Sequence, residues 1–338
     1  NLDIPETNDK GGAFNIFDCL VEGTKKVKEL SGSIPPLLTV NWQKGIAAAT
    51  RYKNNNVIEL NGSVDDPDEY DDAVILHEYG HFIMDKFSYS KSPGVIHHSN
   101  DTNQDIRLSW SEGWATFFSS LLRNNSLYVD VSQLKTLSYN IENLQDSIGG
   151  SLKSFAQGQD TEITVSSVLW DIYDSTDDEG DTISLGAKPI WDVFSKFKSY
   201  YDCVLEDFYL DFFSNTANEV YRAQINSIFS TRKVFYSDST FKRGKIYIKN
   251  DGRVIPDGNG TGIISSLDVT ENLRIKDINI FVDLPHAYRK DIIMSIISPS
   301  NKEVILHNQT KPLDGQSENI FAWYQEPYET IPAESIDD

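Results

Sequence analysis

At 338 residues, with 39% hydrophobic and 12% aromatic side chains, the chain exceeds the usual size of one domain and is too rich in core-forming residues for wholesale disorder. Its formal charge of -21, from 30 Lys plus Arg against 51 Asp plus Glu, opposes nucleic acid and anionic membrane surfaces as partners and reads as a solubilising surface. No stretch approaches the roughly 18 to 20 unbroken apolar residues of a membrane helix, and the opening at Asn1 without an apolar signal core reads as a processed or engineered start.

The first helix is predicted over Ala13 to Leu30, and strand-like pieces follow between Gly45 and Leu60, with Val57–Leu60 offered as a sheet edge for an extended substrate or as a plain internal strand. Asp66 as N-cap, Pro67 at the first helical position and Asp68 and Glu69 at the positive end of the dipole announce the next helix, which Ala73-Val74-Ile75-Leu76 carries into a buried environment. A further helix is expected over Arg107 to Arg123, where Leu108, Trp114, Ala115, Phe118, Leu121 and Leu122 make an apolar stripe that Asn124-Asn125 ends. More helices are read at about 165 to 174, 190 to 213 and 218 to 229. The polar run Ser230 to Lys245 reads as a linker, so that 1–235 forms one domain and 245–338 a second, made of short alternating apolar segments. Cys19 and Cys203 lie far apart in sequence, and one disulfide or two buried thiols both remain open.

His77-Glu78-Tyr79-Gly80-His81 fits H-E-x-x-H inside a predicted helix. At about 100° per residue, positions i and i+4 lie about 40° apart on one face and one turn up, so both imidazoles can reach one Zn2+ ion while Glu78 points at a water beside it. Gly80 costs about 1 kcal/mol in a helix interior relative to Ala, which is easier to explain if backbone or ligand passes close by. Catalytic zinc takes three protein ligands and a water, so a third ligand is required. Glu112 in Trp110-Ser111-Glu112-Gly113-Trp114-Ala115 is the first choice, since its aromatic neighbours point it inward and a buried carboxylate needs a partner. His97 and His98, after Pro93-Gly94, are the rivals.

His77 to His81 followed by Glu112-Gly113-Trp114-Ala115 resembles the glutamate-zincins, the superfamily of thermolysin, fungalysin and the zinc aminopeptidases, over about residues 40 to 230. The resemblance implies a zinc metallopeptidase with His77, His81 and Glu112 as ligands and Glu78 as general base and proton shuttle. Thr116 stands where thermolysin-like enzymes have an Asp that orients a ligand His, which leaves that partner unassigned, with Asp105 and Asp171 as candidates. No Gly-x-Met-Glu-Asn exopeptidase motif occurs, which favours an endopeptidase over an aminopeptidase. Family members hold the oxyanion with a later Tyr or His, for which Tyr173 is the candidate against a plain core tyrosine. The loop Asp174 to Asp181 carries many oxygen ligands and leaves Ca2+ binding open beside a solvated acidic loop.

From Val254 onward, Ile-Pro-Asp-Gly-Asn-Gly turns, Ile278 to Asp283, Leu284 to Arg289 and Ile296 to Ser300 predict an antiparallel β-sandwich. This order of motifs resembles the P or Homo B domain of the kexin and furin convertases over about 245 to 320, a jelly-roll module in which His286 is not a ligand. The last strands of that family are missing after Asp338, which reads as a clipped end. The expected protein is α+β, a mainly helical zincin domain followed by an all-β jelly-roll sandwich, that acts outside the cell on protein or peptide substrates. An aminopeptidase, or a catalytically idle zinc protein whose sandwich binds a partner, is the alternative.

Overall fold

The computed structural model describes residues 10–94, 99, 101–102, 104–133, 136–143, 145–146, 153–154, 157–175, 182–198, 203–236, 247–250, 252–256, 262–269, 280–309 and 320–324. The chain divides into two compact units, 1–243 and 244–338. Among the described residues no helix is long and apolar enough to cross a membrane.

The first unit opens with α1 (Gly11–Ser31), closed by Gly32 in the left-handed conformation at φ 77°. Strands β1 (Thr39–Asn41), β2 (Arg51–Lys53) and β3 (Val57–Glu59) form a small sheet in the order β1-β3-β2. Of the two readings of Val57–Leu60, the internal strand holds and the sheet edge does not: β3 is flanked on both sides, and β2 is an edge. The start of the next helix also differs. Asp66 and Pro67 form β5 (Asp66–Pro67), paired with β4 (Gly62–Ser63), and a 3₁₀ turn over Asp68–Tyr70 precedes α2 (Asp72–Phe87). Proline is tolerated on such a short marginal ladder, so the local capping chemistry of Asp66-Pro67 loses to pairing with Gly62 and Ser63. Asp71 stands at the N-cap instead, and its carboxylate accepts the Val131 N–H at 2.8 Å.

Helix α3 (Ile106–Arg123) is capped by Asp105, whose side chain accepts the Arg107 N–H at 2.9 Å. A sheet that the sequence reading missed follows, β6 (Leu127–Val131), β7 (Thr136–Asn140), β8 (Gln145–Asp146) and β9 (Lys153–Ser154), antiparallel in chain order. Helix α4 (Glu162–Tyr173) then packs along α3. The helix read over 190–213 is two, α5 (Ala187–Phe194) and α6 (Leu205–Phe212). Cys203 sits between them at φ 61°, a conformation no helix continues through, and Asp207 accepts the Cys203 N–H at 2.7 Å to start α6. A 3₁₀ segment, Thr216–Tyr221, leads into α7 (Arg222–Thr231). The linker expected from Ser230 to Lys245 does not cover Ser230 to Tyr236, where Val234 and Tyr236 are buried in the same core, with Tyr236 against Tyr209 and Phe229; the rest of that stretch lies outside the described residues. Of the two openings left by the sequence, Cys19 and Cys203 stand as two buried thiols.

The core centres on α3. Trp114 stacks on Phe194 with ring centroids 3.5 Å apart, and Trp110 lies 5.2 Å from Phe197 and 5.9 Å from Phe208. On its other faces α3 meets its neighbours through glycines. A methyl group at Gly80 of α2 would lie 2.9 Å from Ala115 Cα, and one at Gly113 would lie 2.5 Å from Val165 Cβ and 2.6 Å from the Glu162 carbonyl oxygen. Bare backbone at these two points lets three helices approach closely.

In the second unit, β10 (Ile280–Leu284) pairs with β13 (Ile320–Tyr324) and β11 (Ile293–Ile297) with β12 (Glu303–Asn308), both antiparallel, with a register shift at Met294/Ser295. Val304 and Leu306 form a small core against which Ile280, Val282, Met294 and Ile296 pack. The chain as a whole is thus mixed helix and small sheets, of α+β class.

Replacing Gly113 by Ala sets an overpacking cost of about 1–3 kcal/mol against a helix-propensity gain of about 1 kcal/mol. The obstruction includes a backbone carbonyl that cannot swing aside, so Gly113→Ala is expected to lower the urea-unfolding free energy by ~1–2 kcal/mol. An unchanged or raised value would mean that α3 and α4 have room to spare.

Candidate metal centre

His77 and His81 lie one turn apart on α2, and Glu112 comes from α3 where the two helices are closest. The Nε2 atoms of His77 and His81 are 3.1 Å apart, and Glu112 Oε2 lies 3.2 Å from the first and 3.0 Å from the second. Three lone-pair donors thus face one another across a space the size of an ion. A tetrahedral zinc site, with bonds of about 2.0–2.1 Å, holds its donors roughly 3.3 Å apart, so the donor set and its spacing fit zinc. Glu112 is only 7% exposed, and an anionic oxygen so placed against two imidazole nitrogens is best satisfied by a cation.

Glu78, next to His77 on α2, is 9% exposed, and its Oε2 accepts the Tyr52 backbone N–H at 2.6 Å. That bond ties it to the edge strand β2 and fixes the direction of its carboxylate. The Tyr128 ring stands edge-on to His77, with centroids 6.1 Å apart at 78°, and Tyr139 stacks on Tyr128 at 4.9 Å. Burial holds both phenols above their ordinary range.

His77 Nδ1 lies 3.2 Å from Thr116 Oγ1, and the Tyr139 side chain is hydrogen bonded to Thr116. The two carboxylates suggested from sequence as orienting partners are engaged elsewhere. Asp105 caps α3 and holds the Arg107 guanidinium at 2.9 Å, and Asp171 pairs with the buried Arg232 at 3.0 Å. Tyr173 is likewise not brought to the cluster. Its hydroxyl donates to Asn124 Oδ1 at 3.2 Å, and its ring lies against Phe117 and Trp170. Asn124 ends α3 three turns beyond Glu112, about 18 Å along the axis at 1.5 Å per residue, so Tyr173 faces the wrong end of that helix. His97, His98 and residues 176–181 of the acidic loop considered for Ca2+ lie outside the described residues.

Asp66, Asp68 and Asp130 bring carboxylate oxygens within 4.8 Å of one another near the start of α2. Burial pushes the Asp68 carboxyl up to about 7; a hydrogen bond from Thr50 opposes this, and the charges of Asp66, Asp130 and Asp71 add to it. Burial also raises Asp71, to about 6, against the opposing bond from Val131. The site residues that sequence reasoning missed are Tyr128, Tyr139 and the backbone of Tyr52. The alternation in Leu127–Val131 and Thr136–Asn140 was the available signal for the tyrosine pair; a backbone N–H has no sequence signal.

A family model described as the mycolysin C-terminal domain matches residues 33–223, more than half of the chain, a span that contains α2, α3 and α4. No curated protein matches the chain.

The raised Asp68 gives the acidic group a signature in pH. Its folded pKa of about 7 exceeds the ordinary 3.8, so the folded state holds the proton more tightly. Its contribution to stability is fully present below about pH 4 and is lost as pH rises through about 7. Asp68→Asn, measured by urea unfolding in chelator, should gain stability over wild type between pH 4 and pH 7.5, by on the order of 2 kcal/mol. A difference that stays flat across this range would show that Asp68 is solvated.

Proposed function

The chain belongs to the mycolysin C-terminal domain family, a metallopeptidase family, and on that premise we propose that it is a zinc-dependent endopeptidase with its centre at His77, His81 and Glu112. The carrying observation is the convergence of two imidazole nitrogens and one carboxylate oxygen within 3.2 Å, with a second buried carboxylate, Glu78, on the same helix as the histidines. Bound zinc supplies such a site with Lewis acidity, which acidifies water toward a pKa of about 7 and polarises a carbonyl.

The chain's own residues do the rest. His77, His81 and Glu112 would hold the metal, with the Glu112 carboxylate offsetting part of its charge. Glu78 takes the proton from the attacking water and returns it to the leaving amine, a role that suits a carboxylate held in place by the Tyr52 N–H. An extended substrate would lie along β2, the sheet edge on the Glu78 side, with its backbone as partner. The second unit, with its two antiparallel strand pairs, is read as an accessory P-domain-like sandwich, and the whole as an extracellular enzyme.

Casein cleavage by wild type and Glu78→Gln, with zinc quantified in both, tests this reading. Both should hold about one zinc, and only the wild type should cut internal bonds, the variant losing at least about 10²-fold in rate. Release of free amino acids without internal cuts would turn the assignment to an aminopeptidase. Zinc-loaded wild type that cuts nothing would leave a metal-binding protein without this activity.

A further inference from the structure

We propose that Thr116 and Tyr139 are positioning residues for His77, forming a hydroxyl hydrogen-bond relay that sets the tautomer and ring orientation of this metal ligand. The inference rests on the zinc reading above. Both nitrogens of the His77 ring are gripped from a single helix: Glu112 meets Nε2 at 3.2 Å and Thr116, one turn later on α3, meets Nδ1 at 3.2 Å. Residues four apart share a helix face, so one helix places the co-ligand and the orienting group together.

The direction of each bond follows from the chemistry. If Nε2 offers its lone pair to the ion, the proton of the neutral imidazole resides on Nδ1, which then donates to Thr116 Oγ1. The threonine hydroxyl, having accepted, sends its own hydrogen onward, and the Tyr139 oxygen is bonded to it. Thr116 and Tyr139 are 2% and 3% exposed, so water competes little for either bond. The Tyr128 ring, stacked on Tyr139 and edge-on to His77, fills the remaining side of the imidazole.

A ligand histidine usually passes its second proton to a carboxylate, a carbonyl or water. Here the partner of Nδ1 is a hydroxyl backed by a phenol, and the phenol in turn feels the charge of Glu162.

The test measures zinc affinity by competition with a chromophoric chelator for wild type, Thr116→Val, Thr116→Ser and Tyr139→Phe, together with thermal unfolding of each metal-free protein. Thr116→Val keeps the shape and removes the acceptor, and should weaken zinc binding by about 10- to 100-fold. Thr116→Ser restores the hydroxyl and should stay within about threefold of wild type, and Tyr139→Phe should fall between the two. The cobalt-loaded Thr116→Val protein should also show a shifted visible spectrum, which a packing defect alone would not produce. If Thr116→Val binds zinc as tightly as wild type, the relay is overturned; if that variant does not fold, the ordering of Thr116→Ser and Tyr139→Phe decides, and equal affinities overturn it. Wild type that takes up no zinc sinks the metal reading itself, an outcome distinct from tight binding by every variant.

Discussion

The molecule depends on one close approach, that of Gly80 on α2 to the Ala115 backbone on α3. Gly80 lies between the two histidines in the helix, just before His81, and Ala115 lies just under one turn after Glu112, so the helices are closest where the three donors must meet. With a side chain at position 80 the axes would separate, and a Glu on α3 would no longer bring its oxygen to 3.0–3.2 Å from both imidazoles. Gly113 repeats the device on the opposite side, where α4 closes on α3 at Val165 and the Glu162 carbonyl. The helix that carries Glu112 is therefore clamped from two directions. Ser119 adds a bond across the first contact, donating to the Ala73 carbonyl at 2.8 Å. A site mounted on helices held this way keeps its geometry better than one mounted on loops.

Their partners then separate the roles of two glutamates that differ little in exposure. Glu112, facing two imidazole nitrogens, is an anion whose natural complement is a cation. Glu78 has its charge answered by a backbone N–H at 2.6 Å and remains an acceptor. The same distinction explains why Asp105 and Asp171 take no part in the site. Each is buried and already matched to an arginine, and drawing either toward His77 would strand Arg107 or Arg232.

The parts of this arrangement legible in sequence are those written in local spacing. His77 and His81 at i and i+4, the apolar run before them and the stripe of α3 are helix-periodic signals, and Glu112 stood out because tryptophans flank it. What escaped was decided by contacts distant in sequence. Asp66-Pro67 carries a good helix-start signature, yet pairs with Gly62-Ser63. Tyr173 lies on a helix of the expected place, but which end of α3 it meets is set by the parallel packing of α4, which no periodicity encodes. In the sequence, Thr116 marks only a departure from the family pattern. That it turns its hydroxyl to His77 follows from the helix packing, not from its neighbours in the chain.

The sheet between α3 and α4 shows how far such non-local control reaches. The β6–β7 hairpin supplies Tyr128 and Tyr139 to the flank of His77, and the chain around it holds the approach to α2 as well. The Val131 N–H bonds the Asp71 carboxylate at the helix start, and the Gln133 N–H bonds the Asp65 carbonyl, both at 2.8 Å. One element thus fixes where α2 begins and how its first histidine turns. Sliding that hairpin by one residue would reverse the faces of β6 and β7 and take both phenols away from His77 and Thr116. Packing of α2 on α3 brings the donors together, and the register of a hairpin outside both helices aims the first of them.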